Sequence, residues 1–88
     1  ASIKIKTEDK LAVTVFPNPT EGQVKIQFDK TVEKGTLTLY DELGKRILEK
    51  EINRQDVVDL NITEYTAGLY FALIQSGDKR TIERIIKR

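Results

Sequence analysis

A period of two in the apolar residues constrains the fold of this chain more than any other sequence feature. In residues 23–28, Val24, Ile26 and Phe28 alternate with three polar side chains. Because successive side chains of a β-strand point to opposite faces, this segment is predicted to be a half-buried strand. Similar alternation occurs in residues 11–16, 36–40, 45–52, 57–62 and 81–87. Residues 69–74 are apolar on both faces, which predicts a central strand covered on both sides.

Turn-forming residues separate these runs at short intervals. The turn segments, rich in glycine, proline, aspartate and asparagine, are residues 17–22, 33–35, 41–44, 66–68 and 76–78. Residues 61–65 could begin a helix with an asparagine cap, but Gly68 would end it within about a turn. Short strands at this spacing are typical of a β-sandwich. We therefore expect an all-β antiparallel sandwich of about seven short strands.

The composition excludes several classes of function. The chain has 88 residues, enough for one domain, and contains no cysteine and no histidine. It therefore lacks the usual zinc ligands and the imidazole base of serine and cysteine hydrolases. A net charge of +1 provides no strong field to attract nucleic acid. We predict a protein that is not an enzyme and binds no metal, cofactor, nucleic acid or small-molecule substrate.

The first ten residues differ from the rest. Residues 1–10 are polar and weakly patterned, so they are interpreted as a flexible lead-in, with Ile3 and Ile5 as a possible edge strand. Ala1 and Ser2 are consistent with a remnant of cloning. The chain has neither an initiator methionine nor a signal peptide, so we expect a piece of a longer precursor or a trimmed segment. Residues 11–88 are assigned to a single domain.

Carboxylate pairs are the only candidates for catalysis or metal binding. Glu49 and Glu51 share a strand face rich in cationic residues, which indicates a solvated surface rather than an acid–base site. Asp56, Asp59 and Asn61 could supply oxygen ligands for calcium, but they lack the spacing of a calcium-binding loop. Both interpretations are weaker than that of ordinary surface charges.

Tyrosines suggest an alternative function. Tyr40, Tyr65 and Tyr70 could build a platform for sugar, which would make the chain a carbohydrate-binding or adhesive β-sandwich. The chain has no tryptophan, and buried tyrosines with a bonded hydroxyl group are more common.

The basic residues of segment 79–88 have two interpretations. They could protect an edge strand from unwanted pairing, or they could be recognised by a partner.

Three turns carry specific backbone chemistry. Pro17 and Pro19 fix their own φ angles and lack N–H donors, so residues 17–22 form a stiff corner leading to Gly22, where a positive φ is expected. Residues 41–44 are predicted to form a type I turn that ends in a left-handed glycine, with the Asp41 side chain bonding backbone amides. Gly68 ends the preceding turn or allows two backbones to approach closely.

These elements, in order, resemble one known family. Residues 16–22, Phe-Pro-Asn-Pro-Thr-Glu-Gly, followed by Val24 and Ile26, resemble the opening motif of the C-terminal sorting domain of the type IX secretion system, type A, of Bacteroidetes. Residues 39–45, Leu-Tyr-Asp-Glu-Leu-Gly-Lys, resemble its middle motif. Leu60, residues 65–71 and the basic-apolar stretch 79–87 resemble its closing motif. The resemblance extends from about residue 11 to residue 88.

The resemblance implies a fold and a function. The fold of that family is an immunoglobulin-like β-sandwich. Its members direct a parent protein, after periplasmic transit, through the outer-membrane translocon to the outer membrane, the cell surface or the medium. The implied partners are the translocon, an outer-membrane shuttle barrel, and a sortase-like cysteine peptidase. The peptidase commonly removes the domain, cutting before the Pro-Asn-Pro motif, and couples the cargo to an anionic surface lipopolysaccharide.

We expect partner recognition to involve the rigid turns and the last strand, although the same turn residues could serve only to set the backbone. The candidate residues are Pro17, Asn18, Pro19, Gly22, Asp41, Gly44, Lys45, Gly68, Tyr70, Ile85, Ile86 and Lys87.

Overall fold

Two long strands form the frame of the fold. In the computed structural model, which describes residues 12–88, β2 (Gln23–Asp41) and β3 (Arg46–Asn61) pair antiparallel along most of their length. The other strands are β1 (Val13–Phe16), β4 (Gly68–Ser76) and β5 (Lys79–Lys87). All pairings between these strands are antiparallel. The predicted all-β class is therefore confirmed.

The long strands contribute to two groups of strands. The first half of β2 pairs with β1 on one edge and with the second half of β3 on the other. The second half of β2 pairs with the first half of β3 and with β4, which in turn pairs with β5. Both groups contribute to one buried cluster, which contains Val24 and Ile26 from the first group and Leu39, Ile74 and Ile85 from the second.

The expected count of seven strands is wrong, because residues 12–88 form five strands. Residues 33–35 were predicted to form a turn but lie inside β2. Gly35 is needed there for a close approach, since a Cβ atom would lie 2.6 Å from the carbonyl oxygen of Gln75. Residues 53–56 lie inside β3, where Arg54 has a φ of 49°. Both strands continue through these polar residues, and the β2–β3 register shifts between Gln27 and Val32, as at a β-bulge.

β4 is central in its hydrogen bonding but is covered on one face only. Tyr70, Ala72 and Ile74 are buried in the core. Phe71 and Leu73, on the opposite face, are only half-buried. Within residues 12–88, the predicted cover on both sides is therefore incomplete, because these outer side chains stay partly exposed.

The predicted lead-in at residues 1–10, the possible edge strand at Ile3 and Ile5, and the domain boundary at residue 11 lie outside the described residues. Residues 62–67 form turns and bends rather than a helix, with a hydrogen bond from Tyr65 N–H to Ile62 O of 3.1 Å. Among residues 12–88 there is no helix with the length and hydropathy needed to span a membrane.

Candidate recognition surface

The corner at residues 17–22 is joined to the end of β5 by backbone hydrogen bonds. The Thr20 N–H group donates to Ile86 O at 2.8 Å, and the Arg88 N–H group donates to Thr20 O at 2.9 Å. These bonds form a short parallel bridge between Thr20 and Lys87. The corner thus lies beside β5 at the edge of the second group of strands. The residues that it joins are 66 to 68 positions apart in the sequence.

The hydrogen-bonded contact between the corner and the end of β5 is called the seam below, and the Asn18 side chain extends it. Its Nδ2 group donates to Arg84 O at 2.7 Å, and its Oδ1 accepts from the Ile86 N–H group at 2.9 Å. A carboxamide carries both a donor and an acceptor, so it pairs with the edge of a strand as a peptide group would. Asn18 and Thr20 together satisfy the outward backbone groups of β5 from Arg84 O to Arg88 N–H.

The corner is held in shape by the residues that follow Pro19. The Thr20 hydroxyl donates to Gln23 O at 2.8 Å and accepts from the Gly22 N–H group at 3.0 Å, and this side chain is buried. Gly22 has the positive φ that the sequence predicts, 145°. It also packs so tightly that a Cβ atom would lie 2.7 Å from the Cα atom of Thr63.

The hairpin at residues 41–45 agrees with the sequence prediction. The Asp41 carboxylate oxygen Oδ1 accepts hydrogen bonds from the Leu43 and Lys45 N–H groups, both at 2.9 Å. Gly44 closes the turn with a φ of 87° and donates to Asp41 O at 3.0 Å. The Lys45 side chain is exposed at the tip.

Gly68 and Tyr70 lie beside this hairpin. Asp41 is paired with Tyr70 in the register of β2 and β4. The buried Tyr70 hydroxyl group donates to Thr66 O at 2.6 Å. Gly68 has a φ of 151°, and a Cβ atom there would meet only Glu42 Oε1, at 3.5 Å, so its conformation rather than a close approach requires glycine.

The register brings the candidate residues to one end of the molecule. Gly68 is opposite Lys87, and Tyr70 is opposite Ile85. The corner is bonded to the last residues of β5, and the hairpin follows the last residue of β2. Ile85 is buried and supports this end from within, whereas Ile86 is 46% exposed. Residues 17–22, 41–45, 68–70 and 84–88 thus gather at the same end.

The seam itself was not foreseen from the sequence. Thr20, Arg84 and Arg88 contribute backbone groups to it, and Thr63 limits the space beside Gly22. The sequence placed Thr20 in the corner and Arg84 and Arg88 in the basic segment, but nothing in it indicated that these segments bond to each other. A long-range pairing of the corner with β5 depends on the topology, which no local pattern encodes.

The other candidate sites do not assemble. Tyr40 and Tyr70 lie on opposite faces, because Tyr40 is paired with Phe71, the residue next to Tyr70 on β4, and successive side chains of a strand point to opposite faces. The Tyr65 ring lies beside that of Tyr70, with ring centroids 6.4 Å apart, and packs against the core. The structure thus provides no platform of three tyrosines. Among residues 12–88, there is also no cluster of three acidic, histidine or cysteine side chains able to hold a metal ion.

Asp59 belongs to a surface ion pair. The Lys25 ammonium group donates to Asp59 Oδ1 at 2.8 Å, and this hydrogen bond, together with the charge of Lys25, lowers the pKa of Asp59 from its ordinary value of 3.8. A general acid would need a raised pKa. The perturbation is thus that of an exposed cross-strand pair rather than of a catalytic carboxyl group.

Comparison with known proteins identifies the family. Residues 14–88 match the family described as "Secretion system C-terminal sorting domain". The chain belongs to the sorting-domain family of the type IX secretion system. Its sorting domain implies interaction with the secretion machinery and export to the cell surface or the medium. A sorting-signal family with this fold indicates a non-catalytic module.

One relative and one solved structure are also similar to this chain. An endo-acting ulvan lyase from Formosa agariphila is 39% identical over 67 residues, which are 76% of this chain and 12% of the enzyme. The chain therefore spans only about an eighth of that enzyme. A DUF3244 family protein from Bacteroides vulgatus with an immunoglobulin-like β-sandwich fold superposes with a TM-score of 0.74 at 16% identity, over 86% of this chain and 84% of that one. The predicted immunoglobulin-like sandwich is confirmed.

Proposed function

We propose that this sorting domain is recognised as a folded module through the end of the molecule where the corner, the hairpin and the last residues of β5 meet. The twelve candidate residues, from Pro17 to Lys87, form or support this surface, and Asn18 and Thr20 fix the position of β5. Gly22 and Tyr70 are buried and support it from within. Ile85 supports the strand from the core, Ile86 presents its side chain on the outer face, and the half-buried Lys87 lies on the same face as Ile85.

The observation that carries this proposal is the convergence of distant motifs. The Asn18 side chain bonds Arg84 and Ile86 across more than 60 residues of sequence, and Asp41 pairs with Tyr70. In an unfolded chain these groups would be far apart. A receptor that reads them together therefore requires the folded domain.

The route and the partners are proposed from family membership. The parent protein would cross the periplasm, and the domain would then contact the outer-membrane shuttle barrel and the translocon. A sortase-like cysteine peptidase would cut before Pro17, on the side of the chain that leads into β1. The corner follows that cut in the sequence and is bonded to β5. A cut before β1 would therefore release the cargo and leave the seam intact.

A fusion assay tests the folded-module proposal. Residues 1–88 are fused behind a fluorescent cargo with an export signal, in a bacterium that has the type IX system. We expect delivery to the surface or the medium with loss of the domain. Deletion of residues 85–88 removes three of the four hydrogen bonds of the seam and should leave the intact fusion in the periplasm.

A second variant separates a folded signal from a linear one. Ile26→Asp places a charge at a fully buried core position and should unfold the domain, while every residue of the proposed surface stays in the sequence. Lys30→Glu, at an exposed position, is the control and should be delivered normally. Normal delivery of Ile26→Asp, with unfolding verified by circular dichroism, would contradict recognition of a folded module.

A further inference from the structure

The outer edge of β5 is divided into a covered part and an open part. Asn18 and Thr20 occupy the outward backbone groups from Arg84 O to the end of the strand. Because outward groups alternate along a strand, the N–H and C=O groups of Arg80 and Ile82 and the N–H group of Arg84 point to the same edge. Within residues 12–88, no segment pairs with these five groups.

The side chains along the open part alternate in a distinctive way. Arg80, Ile82 and Arg84 share the outer face of β5, and all three are exposed, with Ile82 at 63%. Ile82 is opposite Leu73 in the β4 register, and Phe71 lies beside it on the same face. An exposed aliphatic side chain thus continues a half-buried apolar strip and is flanked by two cations.

The cations have no ion-pair partners in the part of the chain that the structure describes. The salt bridges of residues 12–88 involve other cations, among them Lys25 with Asp59 and Arg54 with Glu33. Glu83, the acidic residue within β5, lies on the inner face, where its carboxylate accepts a hydrogen bond from the Thr81 hydroxyl group. The outer face of the open edge therefore has an uncompensated positive charge.

We propose that the open edge of β5 binds an extended segment of another protein by strand addition, and that this segment carries acidic, apolar and acidic side chains at every second position. Its backbone would bond the free groups of Arg80, Ile82 and Arg84. Its two carboxylates would pair with the arginines across the strands, and its apolar side chain would cover Ile82. Charge and apolar complementarity specify this occupant over a basic or purely polar segment.

Asn18 limits the length of the added segment. It occupies Arg84 O, so an added strand cannot continue past Arg84 toward the end of β5. The free edge therefore accommodates about five residues, and successive positions on one face are spaced by about 7 Å. A matching core is acidic-x-apolar-x-acidic, in which the intervening residues face Thr81 and Glu83.

Only the identity of the partner rests on the proposed function: the protein that carries such a segment would be a component of the secretion machinery. Peptide binding tests the edge alone, and the fusion assay tests sorting. A peptide that binds while sorting fails would locate an edge site without a sorting role. Sorting without peptide binding would place recognition at the seam and overturn the edge site.

The probe is a blocked synthetic peptide, Ser-Glu-Thr-Val-Thr-Glu-Ser, whose symmetrical sequence suits either strand direction. It is titrated into isotope-labelled residues 1–88 at low salt, and amide shifts are followed by NMR. We expect the largest shifts at Arg80, Ile82 and Arg84. The matched peptide with lysine in place of both glutamates should bind about tenfold more weakly, because both cross-strand charge pairs become repulsive. Equal binding of the two peptides would contradict the proposal.

Two variants separate strand addition from charge attraction alone. Ile82→Pro removes an outward N–H group without removing a β4 ladder bond and should abolish binding, whereas Ile82→Val keeps the N–H group and should bind. Arg80→Glu should weaken binding of the glutamate peptide about fivefold, and Lys30→Glu, a charge-matched change away from the edge, should not. Unchanged binding by a folded Ile82→Pro variant would overturn strand addition.

Discussion

The corner at residues 17–22 and the hairpin at residues 41–45 have similar turn chemistry but different structural roles. Both contain a side chain that bonds backbone groups and a glycine with positive φ. Asp41 bonds amides two and four residues away, so the hairpin is complete in itself. Asn18 instead bonds Arg84 and Ile86, at the other end of the chain.

The two turns differ in which parts of the fold they hold together. The hairpin only reverses the direction between β2 and β3, and either strand would remain paired if the hairpin changed shape. The corner fixes the last strand, because it covers the end of the β5 edge that would otherwise be exposed. Similar turn residues can therefore have different effects. Those of the hairpin stabilise only their own loop, whereas those of the corner stabilise the whole domain.

Exchanging glycine for alanine in each turn should give the largest contrast. Gly22→Ala should destabilise the domain by about 3 kcal/mol or more, since a positive φ is combined with a clash against the backbone of Thr63. Gly44→Ala has a positive φ but open space around the new Cβ atom, so it should cost about 1 kcal/mol. Urea unfolding of both variants measures the difference. Equal midpoints would remove the distinction between the corner and the hairpin.

Replacing the side chains that bond backbone groups should lower the stability less than the glycine changes. Hydrogen exchange should show which residues are affected. Asn18→Ala removes two hydrogen bonds and should cost about 1–2 kcal/mol, with faster hydrogen exchange at Ile86. Asp41→Ala also removes two bonds and should cost about 1 kcal/mol, with exchange changing only at Leu43 and Lys45.

The isosteric change Asn18→Asp sharpens this test. It retains the acceptor for the Ile86 N–H group but replaces the donor to Arg84 O with a second acceptor, so it should be no more stable than Asn18→Ala. Full stability of Asn18→Asp, or unchanged exchange at Ile86 in both variants, would show that the seam does not secure β5.

The hairpin was predictable because its chemistry lies within five consecutive residues. Asp41, Gly44 and Lys45 behave as the turn pattern predicts. The inward faces of the strands were also predictable where alternation is clean, as at Val24 and Ile26, because a period of two fixes which side chains share a face.

The seam and the strand count were not predictable from local patterns. Gly35 has the appearance of a turn residue, yet in the structure it allows Gln75 to approach a strand that continues. The partner of Asn18 is chosen by the topology of distant strands. Leu73 illustrates a further limit, because an apolar side chain on a strand can lie on an outer face of residues 12–88 that is only half-buried.

The Lys25–Asp59 pair provides the smallest expected effect and a reference for both turns, because it is a cross-strand contact between exposed side chains on β2 and β3. The pKa of Asp59 is lowered by Lys25, so the contribution of the pair to stability is present above pH 3.8 and is lost as the pH falls through the lower pKa of the folded state. Lys25→Met should raise the pKa of Asp59, measured by NMR titration, and should barely change the unfolding midpoint at pH 7. Lys30→Met is the matched control and should leave that pKa unchanged. A loss of stability at pH 7 as large as that of Asn18→Ala would mean that the strand pairing of β2 and β3, rather than the seam at β5, depends most on side-chain contacts.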